Sequence, residues 1–395
     1  MALALFSRLR SRSFSTLLSL DSKSPLSAKD KTRAALSLLK SESNPEKIVE
    51  ICRAAALTPE THLDRIAFSI AISKLSKSNN FSYIQAFLDD LRRSRSDLQT
   101  ERFASHAIVL YGQANMLDHA VRTFQEFHND LPGSGSVKAL NALLFACVLA
   151  KNYGEVKRIF IEFPRRYNIS PNLETYNTVI KAFCESGSSS SVYSVLAEMD
   201  RKGLEPNKTS FGHLLAGFYS EDKLEDVGKV LNLMKEKYGI SQGVSIYNIR
   251  IKSLCKLKRS SEARALFYGM VNKGIKPNSN TYSNLIHGFC SQGELEEAKR
   301  LFRGMVNSEY VPDSDCYFTL AHYLCRDGDY EAALKIVQQS IGKGWVPNVT
   351  TMKSLVSGLA SSGKVDEAKE IVGQMKEKFK KNVSLWDDIE AGLSQ

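Results

Sequence analysis

The sequence predicts an all-α protein, a right-handed superhelical solenoid of stacked helix-turn-helix repeats of about 35 residues each. Three observations support this fold class: one well-formed pair of amphipathic helices, its recurrence along the chain, and the glycines and prolines that separate the copies. The clearest pair occupies residues 279–313, where apolar residues recur at helical spacing on both sides of Gly293. Two such short helices cannot bury both apolar faces alone, so neighbouring pairs must stack.

The recurrence has a nearly constant step. A large apolar residue near the start of the first helix recurs at intervals of 35, 36, 35, 35, 35 and 34 residues, at Tyr176, Phe211, Tyr247, Tyr282, Tyr317, Met352 and Trp386. Glycines suited to ending the second helix follow at Gly203, Gly239, Gly274 and Gly344, with prolines at Pro206, Pro277, Pro312 and Pro347. So little drift over seven positions predicts a helical-repeat protein.

The first residues have a composition of their own. Residues 1–20 contain Arg8, Arg10 and Arg12 among Leu, Phe and Ser, and no acidic residue occurs before Asp21. This is the composition of an organelle transit peptide, and its apolar stretches are too short for a membrane span. We expect residues 1–26 to be a mitochondrial transit peptide and linker, which places the protein in the mitochondrial matrix and not in a membrane. A chloroplast address is the alternative.

The remaining chain divides by how well it keeps the repeat pattern. Residues 27–64 predict a capping helix pair, with Asn44 as N-cap and Pro45 at the first helical position of its second helix. Residues 65–136 predict two degenerate repeats, residues 137–382 seven regular ones, and residues 383–395 a C-terminal capping helix. Strong signature residues begin at 173.

These signature segments resemble a known family. The stretches TYNTVIKAFCESG (175–187), EMDRKGLEPN (198–207) and TYSNLIHGFCSQGELEEAKRLFRGM (281–305) are similar to the pentatricopeptide repeat of plant organellar RNA-binding proteins. Repeats that stay near 35 residues resemble its P class. The resemblance implies that each repeat reads one base, mainly through the fifth residue of its first helix and the last residue of the repeat. Single-stranded or ribosomal RNA is then the expected partner.

The resemblance assigns candidate RNA-binding residues repeat by repeat. Each pair consists of the fifth residue of a first helix and the last residue of the repeat. The four pairs are Asn141 with Asn172, Asn177 with Asn207, Asn248 with Asn278, and Ser283 with Asp313. By the family's code the Asn/Asn pairs favour pyrimidines and the Ser/Asp pair favours guanine. The pattern fails at Gly212, Gly243, Phe318 and Lys353, which do not fit the code. Ser69 with Thr100 and Ser105 with Ser136 lie in poorly formed repeats.

Cations follow the reading positions at helical spacing. The net charge is +10, which suggests an anionic partner, although part of the excess lies in the N-terminal segment. Four residues after a reading position, on the same helix face, stand Lys181, Lys252, His287 and His322, and four further on stand Lys256 and Arg326. This stripe fits a groove that holds bases at one edge and phosphates at the other. The alternative is a merely solvated helix face.

No pattern of catalysis or metal binding is present. Four of the seven cysteines, Cys184, Cys255, Cys290 and Cys325, occupy one repeat position, one per repeat, so they cannot converge on one zinc ion and are expected in the core. The histidines form no metal or catalytic motif, and we expect no nuclease or deaminase domain after the repeats. We therefore expect no enzyme activity, no metal or other cofactor, and no small-molecule substrate.

The code leaves three functional hypotheses open. With three pyrimidine choices and one guanine, roughly one site in 32 would match. This selectivity is too low to pick out a unique transcript. The short chain and thin code resemble the small pentatricopeptide proteins of plant mitochondrial ribosomes, which favours an RNA-binding role in translation with mitochondrial ribosomal proteins as further partners. The alternative is a transcript-specific adaptor in mRNA processing or stability. A protein-binding helical scaffold is a second alternative.

Overall fold

The structure is a computed structural model that describes residues 28–56, 65–94, 100–130, 136–308, 310–379 and 383–391. All of its regular secondary structure in these ranges is helical. The segment predicted as a transit peptide, residues 1–26, lies outside the described residues. The chain forms two compact units, Met1–Glu205 and Pro206–Gln395, here called the N-terminal and the C-terminal unit.

The helices come in consecutive pairs, followed by a single last helix, and the first and second helix of a pair are called helix A and helix B. The N-terminal unit contains α1 (Ala28–Ser41), α2 (Pro45–Ala56), α3 (Arg65–Lys77), α4 (Phe81–Ser94), α5 (Glu101–Gln113), α6 (Leu117–Asp130), α7 (Val137–Leu149), α8 (Tyr153–Arg166), α9 (Leu173–Glu185) and α10 (Val192–Arg201), with a 3₁₀ turn at Ser189–Ser191. The C-terminal unit contains α11 (Lys208–Ser220), α12 (Leu224–Glu236), α13 (Val244–Lys256), α14 (Ser260–Asn272), α15 (Ser279–Ser291), α16 (Leu295–Asn307), α17 (Ser314–Asp327), α18 (Tyr330–Gly342), α19 (Val349–Ser361), α20 (Val365–Lys378) and α21 (Val383–Ala391).

The pairs are delimited by local sequence signals. As predicted, the Asn44 side chain caps α2: its Oδ1 accepts from the backbone N–H of Glu46 at 2.9 Å. Left-handed glycines follow the helices at Gly203, Gly239, Gly274 and Gly344 and occupy the turn within a pair at Gly187, Gly293, Gly328 and Gly363. All eight have positive φ, which costs glycine little because it has no Cβ.

Within each unit the helices A pack on one another. In the C-terminal unit α11, α13, α15, α17 and α19 form one such series, and each also packs on its own helix B. The recurring large residue of each helix A is fully or almost fully buried, as at Tyr176, Phe211 and Met352. The helices approach closely where glycine permits: a Cβ on Gly288 would overlap the Cys255 side chain of the preceding helix A.

The predicted fold class, an all-α solenoid of stacked helix pairs, is confirmed. Apolar faces that one pair leaves uncovered are buried by the next pair, which is how a repeat array obtains a core from short helices. Among the described helices, none has the length and apolar character needed to cross a membrane. Because the helices A pack on one another in series, the fifth residues of successive helices A lie along one edge of each unit.

Candidate nucleic-acid interface

In two of the predicted reading pairs, the two positions meet at the start of a helix A. The fifth residue lies on one helix A, and the last residue of the repeat is the N-cap of the next helix A. Four predicted site residues are such caps: Asn172 of α9, Asn207 of α11, Asn278 of α15 and Asp313 of α17. The last residue of a repeat therefore has a structural role besides the predicted one.

The best-formed pair consists of Asn248 and Asn278 with Thr281, and is called the Asn248 pair. Asn248 Nδ2 donates to Asn278 Oδ1 at 3.0 Å. The Thr281 hydroxyl accepts from the backbone N–H of Asn278 at 3.1 Å and donates to Asn248 Oδ1 at 2.6 Å. Asn278 Oδ1 also accepts from the backbone N–H of Thr281 at 3.1 Å. Because an oxygen that accepts must face a donor, Asn278 fixes which end of the Asn248 side chain is the amide nitrogen.

This arrangement leaves part of the Asn248 side-chain amide unused. An asparagine side chain carries two N–H donors and two carbonyl lone pairs. Asn248 uses one donor on Asn278 and one lone pair on Thr281, and it makes no other side-chain hydrogen bond within the described residues. Only 6% of Asn248 is exposed, so the amide is held in one orientation. One donor and one acceptor, already oriented, suit the edge of a pyrimidine base.

The same network occurs in the N-terminal unit, at Asn141 and Asn172 with Thr175, called the Asn141 pair. Asn141 Nδ2 donates to Asn172 Oδ1 at 3.2 Å, and the Thr175 hydroxyl donates to Asn141 Oδ1 at 2.6 Å. Here a fourth residue takes part: Asn141 Nδ2 also donates to Glu174 Oε2 at 3.0 Å. Both amide hydrogens of Asn141 are therefore engaged, and only one lone pair remains.

The other two predicted pairs are placed differently. Asn177 is a half-buried residue of α9 in the N-terminal unit, whereas Asn207 caps α11 in the C-terminal unit, so their pairing stays a prediction. The Ser283 hydroxyl is 2.9 Å from the backbone oxygen of Ser279 and 3.0 Å from Cys316 Sγ. Asp313 accepts from the backbone N–H of Cys316 at 2.9 Å. Cysteine here replaces the bridging threonine, and no bond joins Ser283 to Asp313 in the described chain.

The predicted cations differ in how free they are. Lys252, Lys256 and Arg326 are exposed and form no ion pair with another described residue. Lys181, in contrast, lies 3.8 Å from Glu185 Oε1, and its ammonium stands 5.5 Å from the ring centre of Phe145. The free cations therefore lie on α13 and α17, both in the C-terminal unit.

Aromatic rings accompany these cations. Phe145, on α7, is 37% exposed and lies beneath Lys181. On α17 the Tyr323 ring lies 5.7 Å from the Arg326 guanidinium and contacts the exposed imidazoles of His287 and His322, with ring centres 6.5 and 5.4 Å apart. Exposed rings beside cations are the surface on which unpaired bases stack.

Charge is divided between the two helix types of the C-terminal unit. Four of its helices A contain no acidic residue, and the fifth, α17, contains Asp315 and Asp327. Every helix B from α12 to α20 has an acidic residue in its first turn. Several of these carboxylates pair with helix B cations, as Glu297 does with Arg264 at 3.2 Å. The helix A edge is therefore the one suited to a polyanion.

The repeats that fail the code differ in what stands at their reading positions. Gly212 has no side chain, and a Cβ there would lie 2.7 Å from Ile249 Cδ1, the flexible end of a half-buried side chain that would have to move. Gly243 occupies an N-cap position without a side-chain hydrogen bond to its helix. Phe318 is half-buried and Lys353 is exposed. These repeats offer no amide pair.

Three residues of the networks were missed by sequence reasoning. Thr175 and Thr281 donate hydrogen bonds to the two asparagines, and Glu174 accepts a hydrogen bond from one of them, Asn141. A signal for the threonines existed, because each stands three residues after its N-cap and directly before the recurring tyrosine. Glu174 gave no such signal, since an acidic residue in the first turn of a helix is ordinary.

The cysteines behave as predicted for core residues. All seven are buried. Burial raises the pKa of the Cys290 thiol to about 12 and that of Cys255 to about 11, so both stay protonated at neutral pH. In the described part of the chain, no group of three His, Cys, Asp or Glu side chains is arranged to hold a metal ion.

Comparison with known proteins identifies the repeats. The sequence model of the PPR repeat family matches residues 171–220, 242–291 and 281–326, that of the pentatricopeptide repeat domain matches 135–186, and that of the PPR repeat matches 350–378. A mitochondrial pentatricopeptide repeat-containing protein of Arabidopsis thaliana is 50% identical over 240 residues, which are 60% of this chain and 57% of that protein.

Two further relatives from Arabidopsis thaliana are ribosomal. The small ribosomal subunit protein mL103 is 31% identical over 258 residues, 65% of this chain and 61% of that protein. The small ribosomal subunit protein mS78 is 33% identical over 172 residues, 44% of this chain and 43% of that protein. The chain thus spans less than two thirds of the length of each of these three relatives.

Proposed function

The chain belongs to the pentatricopeptide repeat family, and we propose that it binds single-stranded RNA along the helices A of its C-terminal unit and acts in mitochondrial gene expression. The observation that carries the proposal is the Asn248 pair. Its amide is held in place by Asn278 and Thr281 and keeps one donor and one acceptor unused. Such an amide can recognise a pyrimidine without first becoming ordered, which lowers the entropic cost of binding.

The surroundings of the Asn248 pair supply the non-specific part of binding. Lys252 and Lys256 follow Asn248 at intervals of four residues on an exposed helix face. Phosphate contacts of this kind provide most of the affinity of a nucleic-acid-binding protein and make it dependent on salt. The ring of Tyr323, flanked by imidazoles and Arg326, offers a stacking surface for a base.

The more specific form of the proposal is a role in translation, with the chain bound to the mitochondrial ribosome. Two relatives bear the names of small ribosomal subunit proteins, and a third is named as mitochondrial. The composition of residues 1–26, predicted as a transit peptide, agrees with a mitochondrial matrix location. A chain with few complete reading pairs is better suited to a site presented by an assembled particle than to one transcript among many.

RNA binding is tested with the whole chain and fluorescent oligoribonucleotides. We expect oligouridylate to bind more tightly than oligoadenylate, with an affinity that falls as salt rises. The N248A variant should lose the preference for uridylate while keeping the salt dependence. Equal affinity of the unaltered chain for both oligonucleotides would contradict the assignment of a reading role to Asn248. Absence of binding at low salt would contradict the RNA proposal as a whole.

The ribosomal role is tested by sedimentation of a mitochondrial extract through a sucrose gradient. Magnesium-dependent migration with a ribosomal subunit that survives mild ribonuclease supports it. Migration as a small particle with a discrete protected RNA contradicts it and favours the transcript-specific adaptor. Migration that ribonuclease leaves unchanged at the size of a protein complex would favour the helical scaffold.

A further inference from the structure

One residue distinguishes the two asparagine pairs. In the Asn141 pair, the Glu174 carboxylate lies 3.0 Å from Asn141 Nδ2 and takes its second hydrogen. In the Asn248 pair the corresponding residue, the second of α15, is Asn280, and no hydrogen bond joins it to Asn248 in the described structure. We propose that Glu174 is a specificity-determining residue that closes the Asn141 pair to RNA. This inference rests on the RNA-binding function proposed above.

The first effect of Glu174 is on hydrogen bonding. With Nδ2 shared between Asn172 and Glu174 and Oδ1 bonded to Thr175, Asn141 can only accept one further hydrogen bond. The edge of a pyrimidine presents a donor and an acceptor side by side, so a base must break the bond to Glu174 before it can pair. A charge-assisted hydrogen bond of this kind is about twice as strong as a neutral one.

The second effect is electrostatic. A base that displaced Glu174 would leave its exposed carboxylate without the amide and next to the phosphates of the same strand. Repulsion between like charges would then oppose binding at this pair, whichever base is offered. Lys181, the nearest predicted cation on the same helix, already lies beside Glu185 and offsets little of this charge.

The consequence is that the residues at the reading positions overstate the number of bases that the chain recognises. The Asn141 pair has the same side chains as the Asn248 pair, including the bridging threonine. By side-chain identity alone both pairs would select a pyrimidine. With Glu174 in place only the Asn248 pair does so, and the chain reads fewer bases than its asparagine pairs suggest.

The test compares E174A and E174Q in the full chain, with oligouridylate as the probe. Alanine removes both the charge and the acceptor, so the Asn141 pair opens and affinity should rise about tenfold, the effect of one good base contact. Glutamine removes the charge but keeps a carbonyl that accepts from Asn141, and we expect it to raise affinity by less than threefold. An E174A affinity equal to that of the unaltered chain would overturn the inference.

A double-mutant cycle separates the opening of Asn141 from the loss of a negative charge. In the background of N141A, the gain produced by E174A should be much smaller than in the unaltered chain. If E174A raises affinity equally with and without Asn141, the effect is one of charge alone and the inference is wrong. Should N141A unfold, the apolar pair N141L with T175V serves in its place, with folding checked by circular dichroism.

The outcomes also separate this inference from the function on which it rests. Loss of the uridylate preference in N248A, together with a gain in E174A, supports both. Loss in N248A with no gain in E174A leaves RNA binding intact and overturns only the role of Glu174. If the unaltered chain and E174A both fail to bind oligouridylate, both proposals are overturned.

Discussion

The Asn141 pair and the Asn248 pair have the same side chains and the same internal hydrogen bonds, yet they differ in what they leave unused. In both, an asparagine is held between the next helix cap and a threonine hydroxyl. Asn248 keeps a donor and an acceptor, whereas Asn141 gives its second hydrogen to Glu174. The free cations Lys252 and Lys256 also lie on the same helix as Asn248, whereas the helix of Asn141 carries neither.

The difference shows that the identity of two residues does not define a recognition site. What a base can bind is the set of donors and acceptors that the protein itself has not used. A residue in the first turn of the next helix A, as Glu174 is, can engage a donor and add a charge without changing either reading residue. The recognition proposed for these repeats therefore depends on the first turn of the following helix A as well.

The largest expected difference between the pairs is in RNA affinity. N248A should weaken binding of oligouridylate about tenfold, because one base contact is worth about 1–3 kcal/mol. N141A should leave it unchanged. Fluorescence anisotropy measures both, below the melting temperature of either variant. A similar loss in the two variants would show that the pairs are equivalent.

The bridging threonines sharpen the comparison because they have the same structural role in both pairs. T281V and T175V each leave a buried asparagine oxygen without its donor and should lower the free energy of unfolding by about 1–3 kcal/mol. Only T281V should also weaken RNA binding, since only Asn248 uses its orientation for a base. Urea unfolding and anisotropy measure the two effects. Weaker RNA binding in T175V as well would contradict this expectation.

The helix caps allow stability and recognition to be separated. N278A removes the N-cap of α15 and should lower the free energy of unfolding by about 1 kcal/mol, as N172A should for α9. N278S keeps a capping oxygen, so it should restore stability while RNA binding stays weakened, because serine lacks the side-chain amide. If N278S bound oligouridylate as tightly as the unaltered chain, Asn278 would act only as a cap.

The smallest expected effect is on the salt dependence of binding. Each phosphate contact in a single strand contributes about 0.7 to the slope of log affinity against log salt. K252A with K256A should lower the slope by about twice that amount, whereas K181A should change it less because Lys181 lies beside Glu185. Affinity measured over a range of salt concentrations gives the slopes. A larger change in K181A would reverse the expected ranking.

Much of the fold could be predicted from sequence because its signals are local and repeated. The apolar residue at the start of a helix A and the glycine that follows four of these helices act within one turn of helix. Tyr176 is buried and Gly293 is left-handed, as their positions in the repeat indicate. A stack of identical pairs then follows, since each pair contacts only its neighbours.

The site was only partly predictable, because its chemistry depends on contacts between repeats. Sequence placed Asn141 and Asn172 in one pair, and the structure brings them within hydrogen-bonding distance. It could not show that Glu174 reaches back to the preceding helix A, since this depends on the separation of two helices and on one side-chain rotamer. For the same reason, sequence could not show that Ile249 of the next helix A approaches Gly212.

The difference between the pairs can be observed directly by NMR of the full chain labelled with ¹⁵N only at asparagine side chains. The resonances of Asn141 and Asn248 are assigned from their loss in N141A and N248A. On addition of oligouridylate, the Asn248 amide signal should shift as its free hydrogen binds a base, while the Asn141 signal stays in place. A shift of Asn141 equal to that of Asn248, or an unchanged Asn248 signal at saturating RNA, would contradict the distinction between an open and a closed pair.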